Sequence, residues 1–156
     1  MPRNLQLTSL DKNHLLLDVG LTYTKCGLVT EAAPRHIVPT PFTAVRALRN
    51  SILDLSPSTF AQLFPQPSHL SMEKSSLYLE CEEFLSQIFY HLMQVKPADK
   101  GVVIVESFMG LRAVYEMIAH VLFRSFGVSS VYFVLANALP IYCSGMDSGI
   151  VVDVGF

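Results

Sequence analysis

The sequence predicts a layered α/β domain on a mixed sheet, antiparallel where it starts and parallel further along. Three observations lead there. Two short apolar runs, "HLLLD" at 14–18 and "TKCGLV" at 24–29, are separated by a brief break containing Gly20, the spacing of two hairpin arms. Beyond residue 77, apolar runs of strand length alternate with stretches of helical period. Finally, "LLLDVGL" at 15–21 is echoed by "IVVDVGF" at 150–156. By typical composition such a coincidence has a probability on the order of 10⁻³, so the two ends read as one motif used twice.

Taken in order, residues 1–13 form an N-terminal tail, and the run from His14 to Asp18 is the first strand. Thr24 to Val29 returns as the second. "EAAPRHIVP" turns at Ala33-Pro34 and offers a third strand around Ile37 and Val38, closed by Pro39 and Pro41 because proline cannot donate to a ladder. Residues 41–76 change character: Pro57, Pro65 and Pro67 sit among scattered serines without a sustained period, the composition of a mobile excursion. Leu53, Leu55, Phe60, Leu63 and Phe64 nonetheless argue for some burial there.

From Tyr78 to Val95, Cys81, Leu85, Ile88, Phe89 and Leu92 fall on one stripe, which predicts a single amphipathic helix stopped near Pro97. "GVVIVES" reads as a strand buried on both faces. Leu111 to Phe126 is helical again, with Val114, Ile118, Val121 and Leu122 on its apolar stripe. "VYFVL" supplies another strand, Ala138 to Ser144 a short helix, and "GIVVD" opens a last strand. Strands alternating with helices in this way return as right-handed crossovers of a parallel sheet. Residues 14–148 therefore make one domain, and 149–156 the first strand of a second.

The 156 residues are 51% hydrophobic and 15% charged, against about 25% charged in an ordinary domain. Either the core is large or a partner covers part of the surface. A net charge of −2 leaves no electrostatic footprint for nucleic acid or an anionic membrane. The N-terminal stretch breaks its apolar runs with Asn4, Asp11, Lys12 and His14, so it contains neither a signal-peptide core nor a membrane span. A cytosolic protein is expected. Cys26, Cys81 and Cys143 are widely spaced, with no Cys/His cluster for zinc, and are expected as buried free thiols.

The chemistry lies in the repeated Asp-Val-Gly. A strand ending in Asp, followed by a Gly-containing turn into a second strand, puts a carboxylate and a row of backbone N–H groups at one sheet edge. Such amides bind phosphate oxygens, and the carboxylate can orient water on a magnesium ion that neutralises them. Lys25, on the returning strand, can bring its ammonium to the same anion. Two such loops face to face would clamp a polyphosphate.

These residues carry a family resemblance. "LLLDVGLTYTKCGL" followed by "APRHIVP" resembles the first phosphate loop of actin and its relatives, and "GIVVDVG" the beginning of the second. "ECEEFLSQIFYHLMQVKPADKGVVIVES" and "VLFRSFGVSSVYFV" are similar to the helix and strand units between those loops. The resemblance implies an actin-like ATPase domain, a ribonuclease H-like mixed sheet with flanking helices, as the first of two duplicated domains. It implies water-orienting acids at Asp18 and Asp153, acting on magnesium through water only, and a phosphate-contacting lysine at Lys25. Loop amides would lie from Gly20 through Leu21 and Thr22 to Tyr23, and around Gly155.

The departures matter as much. Leu21 and Thr22 stand where actin has a Ser-Gly pair, and Ala136, beside Asn137, where it has the glutamine that places the attacking water. Positioning is most of what a phosphohydrolase supplies, so hydrolysis is not expected. The chain stops at Phe156 inside the second loop, so ATP or ADP with magnesium is expected of a complete protein and not of this portion alone. "TKCG", "ADKGVVIVES" and "VVDVGF" look closest to the actin-related subunits at the pointed end of the dynactin filament. That likeness implies structural work beside the filament subunit and other pointed-end subunits in dynein-based transport.

Overall fold

The computed structural model describes residues 14–20, 22–42, 76–106 and 112–152. Five strands form one sheet: β1 (His14–Val19), β2 (Tyr23–Leu28), β3 (His36–Pro39), β4 (Gly101–Glu106) and β5 (Ser130–Leu135). Their order is β3-β2-β1-β4-β5. The β1/β2 and β2/β3 pairs are antiparallel, the β1/β4 and β4/β5 pairs parallel. The expected switch from antiparallel to parallel is therefore present, and β1 is the hinge of it.

Period-two alternation explains why β1 sits in the middle. Leu15, Leu17 and Val19 are buried while His14, Leu16 and Asp18 are not fully so. Leu15 opposes Val102 and Leu17 opposes Ile104, giving one continuous apolar face. Each such side chain contributes roughly 1.5 to 3 kcal/mol when fully buried. Against this core pack helix α1 (Ser76–Ser86), the segment after it, and helix α2 (Arg112–Arg124). Val114, Ile118, Val121 and Leu122 are all buried, as their stripe predicts, joined by Tyr115 and Met117. Phe89 stacks on Phe126 with centroids 5.4 Å apart. The Tyr78 hydroxyl, 2.6 Å from Ser125 Oγ, ties the start of α1 to the chain just past α2.

Glycine is required where β4 enters the sheet. A Cβ on Gly101 would run into the His14 ring and Ser130 Oγ on the two neighbouring strands. The turn between β2 and β3 is held by Glu31, which accepts the Leu28 N–H at 2.9 Å and the Arg35 Nε–H at 2.9 Å. Those donors hold its carboxyl below the ordinary glutamate range, the Leu28 amide most strongly.

The structure departs from the sequence-based expectation in three places. The helix expected over 78–95 is not one regular helix: α1 ends at Ser86 and Gln87–Leu92 continues as a π-helix. Met93 donates to the Ile88 carbonyl at 2.8 Å, a five-residue step. The wider turn carries Met93 into the core, 3% exposed, while Leu92 is only partly buried. A uniform 3.6 period would have kept Leu92 on the stripe.

The strand expected to open at 149 is not formed over 149–152, where Ile150 and Val152 stand 94% and 78% exposed. A strand exists only as part of a ladder, and none of the described strands runs beside it. Among the cysteines, Cys26 and Cys81 are buried free thiols but Cys143 is exposed, because the helix α3 (Leu139–Ser144) that carries it has no buried residue. Burial pushes the Cys26 and Cys81 thiols up. The N-terminal tail and most of the Pro/Ser-rich stretch, 43–75, lie outside the described residues, as do 153–156. No helix among the described residues is long and apolar enough to cross a membrane.

Candidate functional site

Antiparallel pairing puts Asp18 directly opposite Lys25, one rung before the last of the β1/β2 ladder, where Val19 opposes Thr24. Their side chains meet, Lys25 Nζ lying 3.2 Å from Asp18 Oδ2. Both remain partly in solvent, where an ion pair is worth about 0–1 kcal/mol. Lys25 can therefore turn from the carboxylate to an incoming anion at little cost. The sequence-based placement of these two charges at one sheet edge is thus what the ladder produces.

Beyond that pair, Gly20 and Tyr23 are drawn together. The Gly20 N–H donates to the Tyr23 carbonyl at 3.1 Å, and a Cβ on Gly20 would sit 2.7 Å from that same oxygen. Gly20 is thus needed to close the turn, and its own amide is engaged inside it. The Thr22 carbonyl accepts the Thr40 N–H at 2.9 Å. Leu21, Asp153 and Gly155 lie outside the described residues.

The turn is braced from two sides. The Thr40 hydroxyl donates to the Gly20 carbonyl at 2.8 Å, and the Tyr115 hydroxyl, reaching in from α2, donates to the Val19 carbonyl at 3.3 Å. Thr24 Oγ1 lies 2.8 Å from Thr40 Oγ1. Since the Thr40 proton points to Gly20, Thr24 is the donor of that pair. Carbonyl oxygens repel phosphate, and tying two of them back to side chains keeps them engaged with the protein. Asp18 and Lys25 are the groups here that could meet a magnesium-bound polyphosphate; of the expected loop amides, that of Gly20 is already engaged within the turn.

Sequence reasoning missed Thr24, Thr40 and Tyr115. One signal was available: Thr24 occupies an inward position of β2, two before buried Cys26, and a buried hydroxyl demands a partner. Nothing local marks Tyr115, which reaches the turn across 96 residues of sequence. At the far side of the sheet, the Ala136 N–H donates to the Glu106 carbonyl at 2.9 Å. That closes the carboxyl end of the β4/β5 pair with a residue whose side chain is a methyl.

Comparison with known proteins adds the family. The pattern described as Actin matches residues 9–156. Actin-like protein 7B of Rattus norvegicus is 24% identical over 153 residues, covering 90% of this chain and 36% of that protein. The Mus musculus protein of the same name matches to the same extent. The chain spans little more than a third of the length of these curated relatives.

Proposed function

The chain belongs to the actin family, and from that premise we propose that the protein is a structural, non-hydrolysing actin relative. Its finer role is that of actin-related protein 10: a cap on the pointed end of the dynactin filament, in the cytoplasm and cytoskeleton, supporting dynein-based transport. Its partners are the dynactin filament subunit and other pointed-end subunits, with neither nucleic acid nor membrane insertion involved.

The observation that carries this reading is Ala136. It lies one residue past β5, and its methyl group offers nothing to orient a water, so an ATP bound at the Asp18 edge would persist uncleaved. Nucleotide with magnesium then serves as a structural ligand. Asp18 would hold metal-bound water and Lys25 would meet phosphate oxygens, with Asp153 and Gly155 contributing from the second loop. The stretch 41–76, which carries no recognisable filament tip loop in its sequence, supports one usable end and one unusable end. A heterologous contact that cannot be repeated ends a filament.

The test is sedimentation of the full-length protein under polymerising salt, alone and with the dynactin filament subunit. Cosedimentation without filaments of its own is expected, and long filaments of the protein alone would refute the cap.

A second reading, an actin-fold ATPase or small-molecule kinase, is favoured by the Asp18–Lys25 pair, which has the charges such chemistry needs. A conventional filament-forming relative is its structural counterpart. Phosphate release by the full-length protein above the buffer rate, abolished in Lys25→Met, would select the enzyme reading.

A further inference from the structure

Thr40, the first residue past β3, bonds around the β1/β2 connection with both its backbone and its side chain. Its N–H donates to the Thr22 carbonyl at 2.9 Å, its hydroxyl donates to the Gly20 carbonyl at 2.8 Å, and its Oγ1 accepts from Thr24 at 2.8 Å. The register explains why this residue has the reach. Tyr23 opposes Pro39, which has no N–H to give, and the next residue supplies both donors.

A trans peptide holds its C=O and the following N–H in opposite directions. With the Thr22 carbonyl bonded to Thr40, the Tyr23 N–H therefore points away from β3 and towards Gly20. The Tyr23 carbonyl lies on that same side, since it accepts the Gly20 N–H at 3.1 Å. Extending the register by one from Val19 and Thr24 sets Gly20 opposite Tyr23, and in a regular ladder such a pair exchanges both bonds. The Gly20 carbonyl is the acceptor that the Tyr23 N–H would then use, and the Thr40 hydroxyl holds it.

We propose that Thr40 is a positioning residue for anion binding: by holding the Gly20 carbonyl, its hydroxyl keeps the Tyr23 N–H open as a donor to a phosphate oxygen. Tyr23 stands two residues before Lys25 on β2, so the strand offers an amide and an ammonium at one end of the sheet. Thr40 itself touches no ligand and acts through the carbonyl it binds. The inference rests on the reading of the Asp18–Lys25 edge as a polyphosphate site and adds the residue that sets its backbone donor.

Amide hydrogen exchange and Mg·ATP titration of the full-length protein test it, with circular dichroism to confirm folding of each variant. Selective 15N labelling at tyrosine isolates the Tyr23 amide, whose signal is identified by its loss in Tyr23→Phe. Without nucleotide, Thr40→Val should slow exchange at Tyr23 severalfold, because the released Gly20 carbonyl turns back to that N–H. Mere loosening of the fold would speed it instead. Thr40→Val should also bind Mg·ATP about 10- to 100-fold more weakly, the range of one hydrogen bond to a charged group. Thr40→Ser keeps the hydroxyl and should restore both readings. Leu122→Ala, a truncation of a fully buried α2 side chain that also lowers stability, should bind as the wild type does. Unchanged or faster Tyr23 exchange in Thr40→Val, no rescue by serine, or equal weakening by Leu122→Ala would overturn the role of Thr40 while Mg·ATP binding by the wild type stands. A wild type that fails to bind Mg·ATP would overturn the polyphosphate reading and the donor role together.

Discussion

Replacing Thr40 with valine keeps the volume and removes one hydroxyl on which two neighbours depend. The Gly20 carbonyl loses its donor, and the Thr24 hydroxyl loses the acceptor it points at. Thr24 is 0% and Thr40 5% exposed, so water cannot replace the missing oxygen. A lost hydrogen bond is worth about 1 kcal/mol, and a stranded buried hydroxyl adds about 1–3 kcal/mol. Thr40→Val should therefore cost about 2–4 kcal/mol.

Thr24→Val removes only a donor, leaving Thr40 bonded to Gly20, and should cost about 1 kcal/mol. The double variant has no stranded Thr24 hydroxyl and should fall short of the sum by about 1 kcal/mol or more, the signature of contacting residues. Urea unfolding of the wild type and three variants measures this. The Thr40→Val midpoint should drop by about 1–2 M with the slope unchanged. Equal costs for the two single variants, or strict additivity, would refute the assigned direction of the hydrogen bonds.

Gly20→Ala should lower stability by about 1–3 kcal/mol, because the new methyl meets the Tyr23 carbonyl at 2.7 Å and a backbone oxygen cannot turn aside; thermal unfolding reports it. Glu31 has its carboxyl held below its unfolded value, chiefly by the Leu28 amide. Its contribution is present above the ordinary glutamate range and is lost as pH falls through the folded value. Glu31→Gln should flatten the part of the stability profile that lies below the ordinary glutamate range, and an unchanged acid limb would argue against the turn's role. Of the three cysteines, only exposed Cys143 should react promptly with a thiol reagent in the native protein, with Cys26 and Cys81 reacting on unfolding; rapid labelling of more than one would contradict the packing.

The fold was legible wherever a local period and a tertiary partner agree. The stripe of α2 survives intact because its apolar positions all join the one hydrophobic core. The Asp18–Lys25 juxtaposition was legible because a tight hairpin fixes its own register. The π-helix over Gln87–Leu92 was not, since the demand for Ile88, Phe89 and Met93 in the core together comes from the neighbours and not from the segment. Over 149–152 the expected strand is not formed, as an apolar run becomes a strand only beside another. Thr40 and Tyr115 were invisible as site residues because their partners are backbone carbonyls, which leave no trace in sequence.

The place of β1 in the sheet has a consequence for how the molecule assembles in time. Its contacts with β2 are made across a four-residue turn and can form within about 1–10 μs, the time of a hairpin. Its other neighbour, β4, must be recruited from about 85 residues away, and the entropy of closing that loop is spent before the parallel ladder returns any energy. Docking of β4 is thus the natural rate-limiting event, with the β1–β2–β3 meander as the template it finds. Loop-closure entropy grows only logarithmically, so halving the intervening chain would change this barrier by only about 0.6 kcal/mol. Changes in the number of residues between Phe42 and Ser76 should therefore alter this closure entropy little, provided Phe42 still reaches its edge-to-face contact with Phe84 at 5.3 Å.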